Sequence, residues 1–228
     1  MCGRFTLTID QEQLNGYLNE IFDSPILQDF DHYPRYNIAP GQNVISVIYD
    51  GEKYRVGYLK WGFVAGKKSP QAKPFTVINI RQESLISKPM FKSAFKKQRC
   101  LIIADGFYEW SNENNQKQAY HIVKPKREIF AMAGLWDSYI DETHEKQFTC
   151  GIITTPAEAK LKKVHTRMPL TIDKKYLKKW LSLSSMNEEI VEDFVYQSYK
   201  DFELNPVSNY VNKVENDDIK CIKNGGST

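Results

Sequence analysis

The residue of this chain with the most distinctive chemistry is Cys2, directly behind Met1 in the opening MCGRF. An aminopeptidase that accepts small side chains at the second position would remove Met1 and leave a free α-amine two carbons from a thiol. The amine has a reference pKa of about 7.7–8.0 and the thiol about 8.5, so roughly a tenth of the amine is neutral at pH 7. Such a 1,2-aminothiol has a reaction closed to an internal cysteine. Its amine condenses with an aldehyde, and its thiol then closes the imine into a five-membered thiazolidine. Position alone does not separate this chemistry from an incidental cysteine.

A spacing repeats around polar residues: Cys2-x-Arg4, Asn79-x-Arg81 and His165-x-Arg167. In extended chain, residues two apart share a face. Each pair therefore sets a reactive or hydrogen-bonding group beside a guanidinium, an arrangement that suits a phosphorylated substrate. Glu109 stands in the apolar, aromatic run ADGFYEW. Burial would raise its pKa toward the range useful for proton transfer, and the same burial suits a structural ion pair with an arginine. Of the four histidines, His165 opens an apolar strand beside Arg167. His121 alternates within AYHIVK as a surface or packing residue, and His32 and His144 fall in polar loops. No G-x-S-x-G elbow is present, so a serine hydrolase lacks support.

The four cysteines, Cys2, Cys100, Cys150 and Cys221, are widely spaced, which argues against a zinc site. Cys100 and Cys150 sit in apolar runs and read as packing residues. No cofactor is expected. Nine basic residues against one acidic, Glu83, lie between Ala65 and Cys100 in a chain of net charge only +3. That stretch is either a phosphate-binding face or a solvated lysine-rich surface. The chain lacks an apolar run long enough for a membrane span and a signal-peptide pattern at its start, so no membrane partner and a cytoplasmic location are expected.

These groups need elements to position them. CGRFTLT alternates like a strand, and Asp10 caps a helix with Leu14, Leu18, Ile21 and Phe22 on one face. A loop around YNIAPGQ leads to a hairpin, NVISVIYD to RVGYLKWGFV, turning at Asp50-Gly51. Further strands are expected at FTVINI, CLIIADGFYEW, AYHIVK, IFAMAGLW, FTCGIITT and RMPLTI. Helices are expected near 156–162, 173–182 and 186–198, the last two capped at Asp173 and Ser185. Short strands joined by hairpins, with scattered helices and no regular βαβ alternation, predict α+β: one compact domain with a mostly antiparallel, curled, barrel-like sheet and peripheral helices. The expected domain spans 1–222, with a flexible tail at 223–228.

Taken together, MCGRF, RYNIAPGQ, KWGF, NIRQES, CLIIADGFYEW, AGLWDS, TCGIITTPA and HTRMPL resemble the SOS response-associated peptidase (SRAP) family over nearly the whole chain. The resemblance implies a domain that recognises abasic sites in single-stranded DNA and joins processed Cys2 to the ring-opened sugar as a thiazolidine. Asn79, Glu109 and His165 match the other active-site positions. Glu109 would take a proton from the α-ammonium, His165 would act as acid at the sugar oxygen, and Asn79 would orient the reactants. Arg4, Arg81 and Arg167 would hold flanking phosphates, with Pro40, Trp61, Lys67 and Lys68 completing the DNA contacts. A monomer is expected.

One departure stands out. Many members of the family it resembles follow the W-G motif with a proline and one or two tryptophans, whereas this chain reads WGFVAGKKSPQAKP, with lysines in their place. Greater reliance on charge follows, with Trp61 left as either a stacking platform or a core residue. Two other functions use the same residues: a thiol peptidase with Cys2 as nucleophile, and a non-covalent reader of single-stranded DNA.

Overall fold

The computed structural model describes residues 2–23, 25–27, 31–65, 75–113, 116–184 and 187–224. In chain order the first half holds β1 (Phe5–Leu7), α1 (Gln11–Phe22), β2 (Ile26–Leu27), β3 (Arg35–Ile38), β4 (Asn43–Tyr49), β5 (Tyr54–Trp61), β6 (Phe63–Val64), β7 (Thr76–Val77), β8 (Asn79–Arg81), α2 (Ser84–Ser87) and α3 (Pro89–Lys97). The second half holds β9 (Arg99–Ala104), β10 (Gly106–Glu113), β11 (Gln116–Val123), β12 (Phe130–Ile140), β13 (Lys146–Pro156), β14 (Arg167–Pro169), β15 (Thr171–Ile172), α4 (Leu177–Ser182), α5 (Glu188–Tyr196) and β16 (Glu203–Val207).

Five strands close a barrel. β13, β12, β9, β4 and β5 pair antiparallel in that order, and β5 returns to β13 in parallel through Thr149–Lys60 and Cys150–Trp61. Closure removes the exposed edges of an open sheet. Beside it lies an antiparallel sheet in the order β16-β11-β10-β1-β3. This α+β architecture matches the curled, mostly antiparallel sheet that the strand pattern predicts. β9 is buried at every residue because α3 and α4 cover its outer face, which accounts for its unbroken apolar run RCLIIA. Cys100 and Cys150 are packed there, both fully buried.

α1 begins where expected. The Asp10 carboxylate accepts from the Gln13 amide at 2.8 Å, the Asp10 amide donates to the Gln13 side chain in return, and Leu14, Leu18, Ile21 and Phe22 are buried. Elsewhere the elements differ from expectation. The loop assigned to YNIAPGQ starts as β3, and only Ala39–Gln42 turns, with Gly41 at φ +88° supplying the left-handed residue. The run CLIIADGFYEW is two strands rather than one, split at Asp105 so that β9 serves the barrel and β10 the second sheet. The helix near 156–162 is a 3-10 turn, Ala159–Lys163. The helix near 186–198 is capped by Asn187, whose side chain accepts from the Ile190 amide at 2.9 Å, while Ser185 lies outside the described residues. Asp173 caps as expected. Asn224 bridges to Val207, so the described chain stays attached two residues into the segment expected to be a tail.

α2 and α3 occupy the lysine-rich stretch and have no counterpart among the expected elements. Phe91, Ala94 and Phe95 make one buried face while Lys92, Lys96 and Lys97 stay exposed. Arg99, in the same stretch, is not part of any basic surface. It is 5% exposed, and its guanidinium donates to five backbone carbonyls: Trp180, Phe95, Lys96, Leu181 and Leu183. These carbonyls lie at the ends of α3 and α4, where the helices leave acceptors unpaired. Arg99→Met strands them together. We expect a loss of about 3 kcal/mol in chemical denaturation, because each charge-assisted bond contributes about 1.5–3 kcal/mol and the set is not additive.

A polar cluster holds β1 to its neighbours. Asp105 is buried and accepts from the Thr6 hydroxyl at 2.6 Å and the Thr8 amide at 2.7 Å. The Thr6 hydroxyl also meets His121 Nε2 at 3.1 Å. Asp105 thus ties β1 and its flank to the β9–β10 junction. His121 is 3% exposed, and burial first, then Arg127, push its pKa down to about 3, so it stays neutral through the physiological range. Gly106 is required here: a Cβ would lie 2.3 Å from His121 Nε2 and 2.8 Å from Thr6 Oγ1. Gly106→Ala should lower stability by about 1–3 kcal/mol, read as a drop in the thermal midpoint.

Candidate active site

Cys2 sits just ahead of β1 and is fully buried. The β1–β10 register pairs Phe5 with Phe107, and the Tyr108 amide donates to the Arg4 carbonyl at 2.9 Å, so the ladder continues toward the chain start. Extended by two residues, that register sets Gly3 across from Glu109 and brings Cys2 beside it. Asn79 arrives from the barrel side. β8 runs parallel to β13 with Asn79 opposite Ile152, and the Asn79 amide nitrogen donates to the Cys2 carbonyl at 2.8 Å. Trp61 helps place it, for its Nε1 donates to the Ile78 carbonyl at 3.0 Å while its ring packs edge-on to Phe5.

The electrostatics of the site follow from burial. Glu109 is 2% exposed, and desolvation pushes its carboxyl up to about 7, with the positive charge of the amino terminus acting the other way. A carboxyl raised toward neutrality in this way is suited to moving protons in either direction. Burial, and next the negative charge of Glu109, push the Cys2 thiol far above its ordinary value. Burial and the amino-terminal charge lower His165.

His165 precedes β14 rather than lying within it, so its link to Arg167 is not a shared strand face. The Arg167 amide donates to His165 Nδ1 at 3.0 Å. Nδ1 is then the acceptor of the neutral ring, and the proton sits on Nε2. Nδ1 is also 3.2 Å from the Arg167 carbonyl, a contact that becomes a hydrogen bond only when the ring gains a second proton. Neutral His165 thus offers Nε2–H as a donor, and the neighbouring backbone supplies an acceptor for the cationic form.

The arginines divide. Arg4 donates to the Asn37 side chain at 2.8 Å and to the Val211 and Asn212 carbonyls at 2.9 and 3.2 Å. Arg167 makes a two-armed pair with Glu83, at 2.7 and 3.0 Å, and also donates to the Thr154 carbonyl. Arg4, and Arg167 through its two terminal nitrogens, are held by protein partners, which departs from the reading of three arginines open to phosphates. Arg81 is exposed on β8. Pro40 is exposed at the tip of the Ala39–Gln42 turn. Trp61 is a core residue, 1% exposed, so it presents no face for stacking and its use as a platform is corrected. Lys67 and Lys68 lie outside the described residues.

Three residues that support the site escaped the sequence reading. Glu83, which holds Arg167, is the sole acid of the lysine-rich stretch, and that isolation was the available signal. Asn37 is fully buried and ties Arg4 to the Val211, Lys213 and Asn216 carbonyls, with nothing in its local sequence to mark it. Asp105 locks the strand that follows Cys2. Among the described residues, four buried polar atoms without hydrogen-bond partners, Asn79 Oδ1, Gln82 Oε1, Thr155 Oγ1 and Arg167 Nε, fall on or beside the neighbouring strands β8, β13 and β14. Unsatisfied buried groups are costly, and their concentration here suits a site that receives a polar ligand.

Among the described residues no group of three His, Cys, Asp or Glu side chains could hold a metal ion, and no helix is long and apolar enough to cross a membrane. The profile of the family described as SOS response associated peptidase (SRAP) matches residues 1–214. The chain is similar to the abasic site processing protein YoqW of Bacillus subtilis, 31% identical over 226 residues that cover 98% of this chain and 99% of the relative. It is also similar to the abasic site processing protein YedK of Escherichia coli, 27% identical with 98% and 99% covered. Among solved structures, a protein from Bacteroides thetaiotaomicron superposes with a TM-score of 0.77 at 18% identity, covering 98% of this chain and all of that one, which supports the fold alone. With a family profile spanning nearly its full length and near-complete alignment to such relatives, the chain belongs to the SOS response associated peptidase (SRAP) family.

Proposed function

We propose that this protein, once Met1 is removed, crosslinks covalently to abasic sites in single-stranded DNA through Cys2. The lesion's sugar opens to an aldehyde at C1′. The Cys2 amine adds to C1′, water leaves, and an imine forms. The thiol then adds to the imine carbon, its proton passing to a base and the nitrogen gaining one, which closes a ring of C1′, N, Cα, Cβ and Sγ.

Each step has a group suited to it. Glu109, its pKa raised by burial, takes a proton from the α-ammonium and later from the thiol. That help is needed because Cys2 is held in its neutral form. His165 donates from Nε2 to the sugar oxygen as the ring opens. The Asn79 amide nitrogen fixes the Cys2 carbonyl, and its unpartnered oxygen is an acceptor for a hydroxyl or ammonium of the reactants. The observation that carries the reading is the meeting of Glu109 and Asn79, residues remote in sequence, at the buried Cys2. A thiol peptidase would need a lowered thiol pKa, and burial beside a carboxylate acts in the opposite sense.

The test uses processed protein and two single-stranded oligonucleotides, alike except for one abasic site. A heat-stable adduct with the lesion-bearing strand alone, with an intact mass equal to protein plus DNA less water, is expected. No adduct, with Cys2 confirmed as the first residue, would overturn the proposal.

A further inference from the structure

A segment near the end of the chain is folded onto its start. Residues 208–222 carry two 3-10 turns, Asn209–Asn212 and Ile219–Ile222, and Val211 and Cys221 pack them into a small apolar cluster with Tyr108. Short turns leave most of their carbonyls without backbone partners. Two side chains from elsewhere gather these acceptors. Asn37, on β3 and fully buried, shares the hydrogens of its Nδ2 among the carbonyls of Val211, Lys213 and Asn216, at 3.1, 2.9 and 2.7 Å. Arg4 donates to the Val211 and Asn212 carbonyls at 2.9 and 3.2 Å and to Asn37 Oδ1 at 2.8 Å. Asp217 ties down the far end. Its Oδ1 accepts from the Tyr36 and Asn37 amides at 2.5 and 2.8 Å, and its Oδ2 from Arg35.

The arginine clasped in this way is two positions from Cys2, and its backbone touches the nucleophile. The Arg4 carbonyl accepts from the Tyr108 amide at 2.9 Å and is also the acceptor for the Cys2 thiol, with Sγ 3.7 Å away. β1 starts only at Phe5, so Cys2 takes its place from Asn79 on its carbonyl and from residue 4 behind it, with the unrestrained Gly3 between. The same segment reaches the strand that carries the base. Asn212 Oδ1 accepts from the Trp110 indole at 2.8 Å, and Trp110 directly follows Glu109. A guanidinium with three charge-assisted bonds in a fixed fork is a rigid anchor, where a lysine would be a swivelling point charge.

We infer that Arg4 is a positioning residue rather than a phosphate ligand, and that residues 208–222, acting through Asn37 and Arg4, set the place of the reactive amino terminus. This positioning acts within the proposed crosslinking, on which its kinetic readout rests. Arg4→Met, Arg4→Lys and Asp217→Asn are compared with wild type, all with Met1 removed and all below their melting temperatures. The maximum adduct rate at saturating abasic single-stranded DNA is measured beside non-covalent affinity for the undamaged strand across a salt series. Arg4→Met should lower the maximum rate about 10- to 100-fold, the scale of a misplacement of about 1 Å, with affinity and salt slope retained. Arg4→Lys, which keeps the charge and loses the fork, should recover that rate only in part. Asp217→Asn touches neither Arg4 nor Cys2 and should lower the rate by a smaller factor, again with affinity retained. Weaker binding by Arg4→Met, with the slope of log K against log salt reduced by about 0.7, would make Arg4 a phosphate ligand and overturn the inference. Wild-type maximum rates in Arg4→Met and Asp217→Asn would overturn it too. Iodoacetamide labelling of Cys2, located by peptide mapping, needs no DNA and should be about tenfold faster in Arg4→Met. A wild-type protein that forms no adduct, with faster labelling in the variant, removes the crosslinking function and leaves the positioning standing. Adduct formation by wild type, with rates and labelling unchanged in the variants, does the reverse.

Discussion

Cys2→Ala, processed so that the substituted residue comes first in the chain, should form no heat-stable adduct with abasic single-stranded DNA, a loss of at least about 100-fold against wild type. The α-amine remains, so the imine still forms, and borohydride reduction should trap it as a secondary amine on the lesion strand. The missing step is ring closure, because no thiol stands two carbons from the nitrogen. A second variant probes the other half of the aminothiol. With an extra residue ahead of Cys2, the thiol is kept but the α-amine is displaced, and both the stable adduct and the borohydride-trapped imine from position 2 should disappear. Stable adduct formation by either variant at the wild-type rate would refute the mechanism. The pair of results also separates crosslinking from thiol peptidase chemistry, which needs the sulfur and tolerates an occupied amine.

Glu109→Gln should slow adduct formation about 100- to 1,000-fold, the range associated with loss of general acid–base help. The pH dependence is the sharper test. The wild-type carboxyl has its pKa raised to about 7 by burial. Its working form as a base is the carboxylate, so the rate should fall as pH drops below about 7 and level off above it. In Glu109→Gln that limb should vanish, leaving only the dependence of the amine itself. Initial rates of adduct formation between about pH 5.5 and 9, on abasic DNA in excess, measure both curves. Glutamine keeps the shape and loses the charge, so a melting temperature near wild type would assign the rate loss to chemistry. An unchanged limb near pH 7 in the variant would show that another group is the base.

How much of this was legible beforehand varies by residue. Where the chain's own periodicity decides, the pattern sufficed: α1 with its Asp10 cap and its four buried positions, the β4–β5 hairpin, and the apolar runs that became β9, β12 and β13. Spacing singled out Cys2, Asn79 and His165 as candidates, the apolar run ADGFYEW singled out Glu109, and the family resemblance joined the four. The lysine-rich stretch misled because its charge density drew attention from the Phe91, Ala94 and Phe95 face that makes α3 a helix. CLIIADGFYEW read as one strand because alternation carries no mark for a switch between sheets. The switch occurs at Asp105, whose carboxylate is satisfied only by Thr6 and Thr8 of another strand and its flank.

The sequence by itself determined many of the local elements, the fold class and the chemistry available at the second residue, because capping, alternation and side-chain type act over a few residues. Tertiary structure alone decided which groups are free to act. It turned Trp61 inward against Phe5, bound Arg4 to Asn37 and Arg167 to Glu83, and gave Arg99 to the ends of two helices. It also set Glu109 beside Cys2 in the protein interior, where desolvation brings a carboxyl to about 7 and raises a thiol. Burial and long-range partners are properties of the packed chain, which no window of a few residues contains.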